Sequence, residues 1–449
     1  MFGVVALDGD LAAVGDTGTG FTPTSVSLFR LTKGEWLLEA FIPDPDQEPV
    51  DGFGRVAVSG DWLVVGAPTD SEPEQISGSA YIYRKIGEQW LLDTELIASD
   101  AAAFSAFGRG VAIDGDAIII GAPGRDTRGV TDSGGAYIYR RTGEMWTEES
   151  ILVAKAPGAM DYLGASVAIS GDIAVSGAIG TNALRGSAHV FRFVDGEWVH
   201  EIELTAFDAS LDARFGFSVS TNGDTIVVGA TQAHTPIGPH RGAAYVFRRV
   251  DLVWNFEQKL FASDPGSVSP FFGWSVSVSQ DGLATLVGAP NDSTFGFEAG
   301  TSSLFRDGSD GWKEIMMIGS ATSEADGSFG GFATISGDLA IIGGHDGPAA
   351  TGAAHVIAGI SGIDCNQNSA SDACDIFSEL SEDRNGDNVP DECQPAADLT
   401  GDGIVNAVDL ALLLSQWEPC EADCAADLDN DGTVGPSDLG GLLASWGQQ

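Results

Sequence analysis

Runs of consecutive apolar residues, each closed by a glycine, recur along most of the chain: LAAVG ending at Gly15, LVVG at Gly66, AIIIG at Gly121, IAVSG at Gly177, TIVVG at Gly229, TLVG at Gly288 and AIIG at Gly343. Unbroken apolar runs this short suit strands covered on both faces, because a sheet with one wet face would alternate. Around each run the punctuation repeats. In FGRGVAIDGDAIIIGAPGRDTRGVTDSGGAYIYRRTGEMW, residues 107–146, a first short strand leads through Gly115-Asp116 into the apolar run. An acidic loop follows, then AYIYRR, a Gly-Glu turn and a strand opened by Trp146. One unit therefore predicts four short strands.

The closing glycines lie 51 to 59 residues apart, the period of a propeller blade. A second column agrees: Phe2-Gly3, Phe53-Gly54, Phe107-Gly108, Leu163-Gly164, Phe215-Gly216, Phe272-Gly273 and Phe329-Gly330 open the copies. Trp36, Trp90, Trp146, Trp198, Trp254 and Trp312 begin the fourth strands. A lone sheet with two apolar faces can cover neither, so each copy must stack between neighbours, and seven copies predict a closed ring over residues 1–360. The Gly-Ala pairs at the ends of the apolar runs predict close backbone approach near the crowded centre. The seventh copy lacks a Trp strand, so one sheet is expected to be a strand short. Met1-Phe2-Gly3 already stands at the first landmark without a leader, which predicts residues upstream of Met1.

Charge changes this picture at the C-terminal end. The formal net charge is −44, which argues against nucleic acid or an anionic membrane surface as partner. No run of about 18 apolar residues suggests a membrane span. Residues 361–449 hold 19 acidic residues and one basic residue, Arg384, and form a separate object.

Several chemically suggestive residues follow the repeat. Arg30, Arg84, Arg140, Arg192, Arg248 and Arg306 form a column after the third strand, and Glu35, Glu88, Glu144 and Glu197 lie across the next turn. Surface ion pairs between those two sets are expected. His189 and His355 occupy the column of Tyr81, Tyr137 and Tyr245, which predicts packing rather than chemistry. No nucleophile with a neighbouring base is recognisable, and the reading is non-enzymatic.

The recurring FG…VAISGD…VVGAP…GSAYVFR…W pattern resembles the FG-GAP repeat family, relatives of the integrin α-subunit propeller. That resemblance implies a seven-bladed propeller used for adhesion or for binding a protein or glycan ligand, outside the cell or on its surface. Integrin-type blades often carry a D-x-D-x-D-G calcium loop. Asp70-Ser71-Glu72, Asp126 to Asp132 and Asn291-Asp292 depart from that alternation, so solvated acidic loops are expected there.

From Asp364 the pattern changes. Asp364, Asn366, Asn368 and Asp372 align with Asp383, Asn385, Asp387 and Asp391, placing side-chain oxygens at alternate positions around a hard cation. Residues 361–396 are similar to thrombospondin type 3 repeats, an irregular calcium-binding neck. Cys365 has Cys374 or Cys393 as alternative partners and Cys420 has Cys424, and five cysteines leave at least one thiol over in a monomer. Paired cysteines in such a tail point to an oxidising setting.

DLTGDGIVNAVD places Asp398, Thr400, Asp402, the Ile404 carbonyl, Asn406 and Asp409 at positions 1, 3, 5, 7, 9 and 12 of an EF-hand loop. DLDNDGTVGPSD repeats it with Asp427, Asp429, Asp431, the Thr433 carbonyl and Asp438. Each loop feeds an amphipathic helix, with Leu410, Leu413, Leu414 and Trp417 on one stripe and Leu439, Leu442, Leu443 and Trp446 on the other. The two stripes are expected to pack on each other, and Ca2+ binding to be coupled to folding. Residues 397–449 resemble a type I dockerin, which implies a cohesin-like partner. Ala407-Val408 and Pro436-Ser437 stand where dockerins present Ser-Thr.

The expected fold is thus all-β, a seven-bladed propeller followed by the neck and a small α-helical dockerin-like unit. The expected function is calcium-dependent binding outside the cell. A component of an extracellular polysaccharide-degrading assembly is the alternative.

Overall fold

A computed structural model describes residues 3–16, 24–46, 51–263, 269–308, 311–319, 327–346 and 351–358, and in the tail 405, 407–415, 417–419, 426 and 433–444. Two units are present, Met1–Ile357 and Ala358–Gln449.

The first unit is the seven-sheet ring that the repeat predicts. Sheet three shows the plan: strands Val111–Asp114, Ala117–Ala122, Gly135–Thr142 and Met145–Leu152 pair antiparallel in chain order, the first two and the last two joined by tight turns and the middle two by a loop over residues 123–134. Sheets one to six have four strands each. The seventh, Phe332–Ser336, Leu339–Asp346 and Thr351–Ala358, has three among the described residues, as expected for the copy without a Trp strand. Every residue of the second strand is buried in sheets two to six. Ile118, Ile119 and Ile120 are fully covered, each worth about 2 kcal/mol of transfer free energy. Consecutive burial follows because one side chain enters the interface with the preceding sheet and the next enters the interface with the following one.

Glycines set how closely the sheets approach. A Cβ added to Gly15, Gly66, Gly121, Gly177, Gly229 or Gly288 would overlap the carbonyl of Gly54, Gly108, Gly164, Gly216, Gly273 or Gly330 respectively, in each case the landmark glycine of the next sheet. The approach is therefore between neighbouring blades, not across the centre of the ring. Gly108, Gly164, Gly216, Gly273 and Gly330 have φ between 88° and 96°, a region that favours glycine. The preceding aromatic or leucine is buried and its amide donates to the neighbouring sheet, as from Phe107 to the Ser77 carbonyl (2.9 Å) and from Phe329 to the Ala299 carbonyl (2.9 Å). At the other end of the inner strands, turn amides cross the same junctions: Gly60 N donates to Asp8 Oδ2 (2.6 Å) and Gly171 N to Asp114 Oδ2 (2.7 Å). The ring closes in this way too, with Gly9 N donating to Ser336 Oγ (3.0 Å) and Val5, Leu7 and Ala12 packed on Ile341.

The arginine column pairs differently from the expectation. Arg30, Arg140, Arg192 and Arg248 bind Glu39, Glu149, Glu201 and Glu257, not the glutamates across the turn. The cause is a β-bulge in each fourth strand. The register skips one residue there, and the skipped residue is Glu39, Glu149, Glu201 or Glu257. The bulge re-aims that carboxylate toward the arginine of its own sheet and, at Glu39 and Glu149, toward the indole N–H of the next: Trp90 Nε1 donates at 2.6 Å and Trp198 Nε1 at 2.8 Å. Arg84 reaches a glutamate of the predicted set, Glu144, at 3.7 Å and in the neighbouring sheet.

In the second unit, helices Ala407–Ser415 and Pro436–Ala444 pack through Leu413 and Leu442, with Val405, Ala426 and Val434 buried beside them. The expected stripe is narrower than its sequence. Leu410 and Leu439 join the contact, whereas Leu414, Leu443 and Trp417 are exposed. Two short helices pressed edge to edge cover only one residue per turn. Trp446 lies outside the described residues.

Gly121→Ala is expected to destabilise the ring by about 3 kcal/mol, because backbone rather than a movable side chain blocks the new methyl. Gly308→Ala, with open space at its Cβ, should change stability by less than about 0.5 kcal/mol. Chemical denaturation of the two variants checks the contrast, and equal midpoints would refute it.

Candidate functional site

The inner strands of all seven sheets line a central channel of about 720 Å³. They leave the landmark glycines in the same sense, so residues just after those glycines share one end of the channel. There the repeat is broken by chemistry. Sheets two and three supply Arg55 and Arg109, while sheets five, six and seven supply Phe217, Trp274 and Phe332. Phe217 and Trp274 stack with ring centroids 4.6 Å apart, and the Arg55 guanidinium lies 5.9 Å from the Phe332 ring. Among the described residues, no Asp or Glu lines the channel. Burial, together with the nearby Arg109 charge, pushes Arg55 down to about 9. Arg109 is exposed to the channel yet surrounded by the inner strands, and desolvation lowers its pKa as well. Arg55 Nε is buried without a hydrogen-bond partner. Sequence reasoning did not single these residues out, because each occupies a variable position in its own repeat and only the ring brings them together.

The junctions between sheets carry a second recurrent constellation. A third-strand tyrosine donates to an aspartate that follows the fourth strand of the preceding sheet: Tyr81 to Asp46, Tyr137 to Asp100, and Tyr245 to Asp208 at 2.7 Å. At two of these a cation compensates the carboxylate, Arg125 with Asp100 (2.6 Å) and Lys259 with Asp208 (2.6 Å). At the first junction Asp70 stands where Arg125 stands in the next repeat, so Asp44, Asp51 and Asp70 are buried together. Burial pushes the Asp51 carboxyl up to about 7, opposed by the Phe53 amide that donates to it at 3.0 Å and reinforced by Asp44 and Asp70. Among the described residues no group of three or more His, Cys, Asp or Glu is arranged to hold a metal.

His189 packs as its column predicts. It is buried, contacts Ser187 Oγ at 3.2 Å and His200 Nε2 at 2.9 Å, and burial followed by His200 pushes it down to about 4. His355 lies edge-on to Phe329 with centroids 5.1 Å apart.

Of the predicted calcium ligands, the described residues include Asp409, Asp438 and Thr433. Asp409 and Asp438 are fully buried in the first turns of the two helices, and Asp438 Oδ2 accepts from Gly435 N at 2.7 Å. Thr433 pairs with Pro419 in a two-residue ladder that joins the segments before the second helix and after the first. Asp398, Thr400, Asp402, Ile404, Asn406, Asp427, Asp429 and Asp431 lie outside the described residues. So do the neck residues Asp364, Asn366, Asn368, Asp372, Asp383, Asn385, Asp387 and Asp391.

Comparison with known proteins follows the same pattern. The FG-GAP repeat family matches residues 36–83, 90–139, 146–191, 198–247 and 254–305, together more than half of the chain. Each match begins on the Trp strand of one sheet and ends on the third strand of the next, so the family's sequence unit is offset by one strand from the blade. No curated protein matches significantly. Among solved structures, a protein from Lactobacillus plantarum is similar at 11% identity and a TM-score of 0.48, covering 70% of this chain and 84% of its own. U3-55K is similar at 12% and 0.49, covering 77% and 89%. Both likenesses are too distant to bear on activity.

The acid junction sets a pH dependence. Between the ordinary carboxyl value near 4 and the raised value near 7, the folded protein holds a proton at Asp51 that the unfolded chain releases. Stability from this group is thus present at low pH and lost as pH rises through about 7. Asp51→Asn is expected to raise Tm at pH 8 by about 2 °C or more, with the gain shrinking toward pH 4. Thermal melts across that range check it, and a gain independent of pH would refute it.

Proposed function

The chain belongs to the FG-GAP repeat family, and on that premise we propose that it is a non-catalytic, calcium-dependent recognition protein that works outside the cell or on its surface. The propeller holds a ligand on a rigid ring and the C-terminal unit docks the protein to a partner. The observation that carries this reading is the closed ring of FG-GAP sheets, whose strands are locked together at the junctions while the channel end and the connecting loops diverge in chemistry. Extracellular placement is supported by the family, whose repeats are typical of extracellular proteins.

Calcium is assigned to the tail by its donor set. Asp398, Thr400, Asp402, the Ile404 carbonyl, Asn406 and Asp409 would hold one ion, and Asp427, Asp429, Asp431, the Thr433 carbonyl and Asp438 a second. The bound cation supplies charge neutralisation, without which clustered carboxylates oppose folding of so small a core. Asp409 and Asp438, buried at the starts of the paired helices, couple each loop to the helix contact. Exposed Leu414, Leu443 and Trp417 support a docking role, since apolar side chains on so small a unit offer a partner its contact. The partner is cohesin-like in kind and distinct in detail, because the Ser-Thr contacts are replaced.

Two measurements test this reading. Calorimetry of the full chain should show a melting transition that a chelator removes, and Asp409→Ala or Asp438→Ala should weaken calcium binding roughly tenfold or more. A calcium-independent melt would refute the assignment. Screening the full chain against protein and glycan arrays should return binding without turnover, whereas hydrolysis of a bound glycan would replace recognition with catalysis.

A further inference from the structure

At the landmark-glycine end of the channel Arg55 faces the Phe332 ring and Phe217 meets Trp274 across the junction of sheets five and six, but among the described residues neither Arg55 nor Arg109 joins an ion pair. Elsewhere the inner strands use the same region for structure: Ser166, Ser218 and Ser275 each donate a hydroxyl to a glycine carbonyl of the next sheet, at 2.8 to 2.9 Å. Arg55 stands opposite Gly66 as those serines stand opposite Gly177, Gly229 and Gly288. It replaces a locking hydroxyl with a cation. Arg109 adds a second cation from the next sheet. Among the described residues neither guanidinium has an acidic partner, and a buried Arg55 Nε is left without an acceptor. The two like charges at this end of the channel oppose each other. In a protein with 65 acidic residues against 21 basic ones, carboxylates are abundant, yet among the described residues none lines this channel.

We propose that this end of the channel is a binding site for a ring-bearing carboxylate. The carboxylate takes the Arg55 and Arg109 guanidiniums, whose planar donors match two oxygens. The ring lies toward the Phe217 and Trp274 faces contributed by sheets five and six. Two guanidiniums at the same end repel a cation, which excludes an aromatic cage for ammonium groups. The whole channel, about 720 Å³, has ample room for a sugar or aryl ring at this end with a substituent leading out. The long-range field of the acidic surface does not prevent this, since it is screened within about 8 Å at physiological salt. The proposal deepens the recognition reading given above and rests on it.

Isothermal titration of the full chain with D-glucuronate and with benzoate provides the test, with D-glucose and benzamide as neutral rings. At least one acid should bind, with its neutral counterpart roughly tenfold weaker or more, the loss expected when a charge-assisted hydrogen bond goes. Arg55→Gln and Arg109→Gln should each weaken the acid roughly tenfold while leaving Tm unchanged or raised, because removing one of two like charges relieves their repulsion. Tighter glucuronate assigns an acidic sugar and tighter benzoate an aryl acid, and either supports the site. Absence of binding by both acids up to roughly 10 mM, equal binding of acid and neutral rings, or binding unaffected by either substitution overturns it. Should a variant fold poorly, the comparison of acid with neutral ring on the native protein decides alone. A macromolecular ligand that the Arg55→Gln/Arg109→Gln protein still captures sinks the channel assignment and leaves recognition standing. Acid binding without any macromolecular ligand does the reverse.

Discussion

Contact between backbone and backbone at the blade junctions is the constraint on which the ring depends. At six junctions the glycine that ends the second strand of one sheet lies against the carbonyl of the landmark glycine of the next. Neither partner tolerates a side chain. The first has no room for one, and the second in most sheets holds a backbone conformation that side chains disfavour. These two glycines, about 40 residues apart in sequence, behave as one contact. The apolar runs between them are buried because the contact brings sheets close enough to exclude water, and the buried runs hold the contact shut. The two signatures of the repeat are therefore the halves of a single joint.

Around that joint the polar network is organised by what the sheet cannot pair. A bulge leaves one residue of each fourth strand out of the ladder, and where that residue is glutamate it is spent on the arginine of its own sheet. For Glu39, burial alone would raise the carboxyl, but donation from Arg30, Trp90 and Lys85 holds it at about 2. The carboxylate is thus ionised across the physiological range, and it ties sheet one to the indole of sheet two. Columns of Arg, Glu and Trp in the sequence are the outward trace of this arrangement.

How much of this was legible in the sequence follows from the range of each interaction. Strand number, strand order and the short seventh sheet could be read from Phe107-Gly108, Gly121 and Trp146 and their copies, because hairpin neighbours are sequence neighbours. The pairing of Arg30 with Glu39 in place of Glu35 could not, since a one-residue bulge leaves no mark in an apolar-polar pattern. The channel end was hidden for a different reason. Arg55, Arg109, Phe217 and Trp274 meet only because seven copies close a circle, and no spacing in the chain expresses that closure. Alternating carboxylates made the tail loops conspicuous, and most of those loop residues lie outside the described residues. The narrow helix contact was not foreseen, because periodicity reports which residues share a face and not how wide a partner covers it.

The same logic separates structural from functional departures in a repeat. A substitution that the joint can absorb locally, such as Asp70 at the position of Arg125, leaves a cluster of acids that a proton at Asp51 neutralises within the interface. Arg55 and Arg109 have no such remedy. An arginine does not discharge at physiological pH even when burial lowers its pKa to about 9, so the charge remains at the channel end, where Arg55 faces the Phe332 ring. A fold that keeps two such charges where its sister sheets keep a locking serine or a flat ring carries an electrostatic cost that an anion held between them would offset.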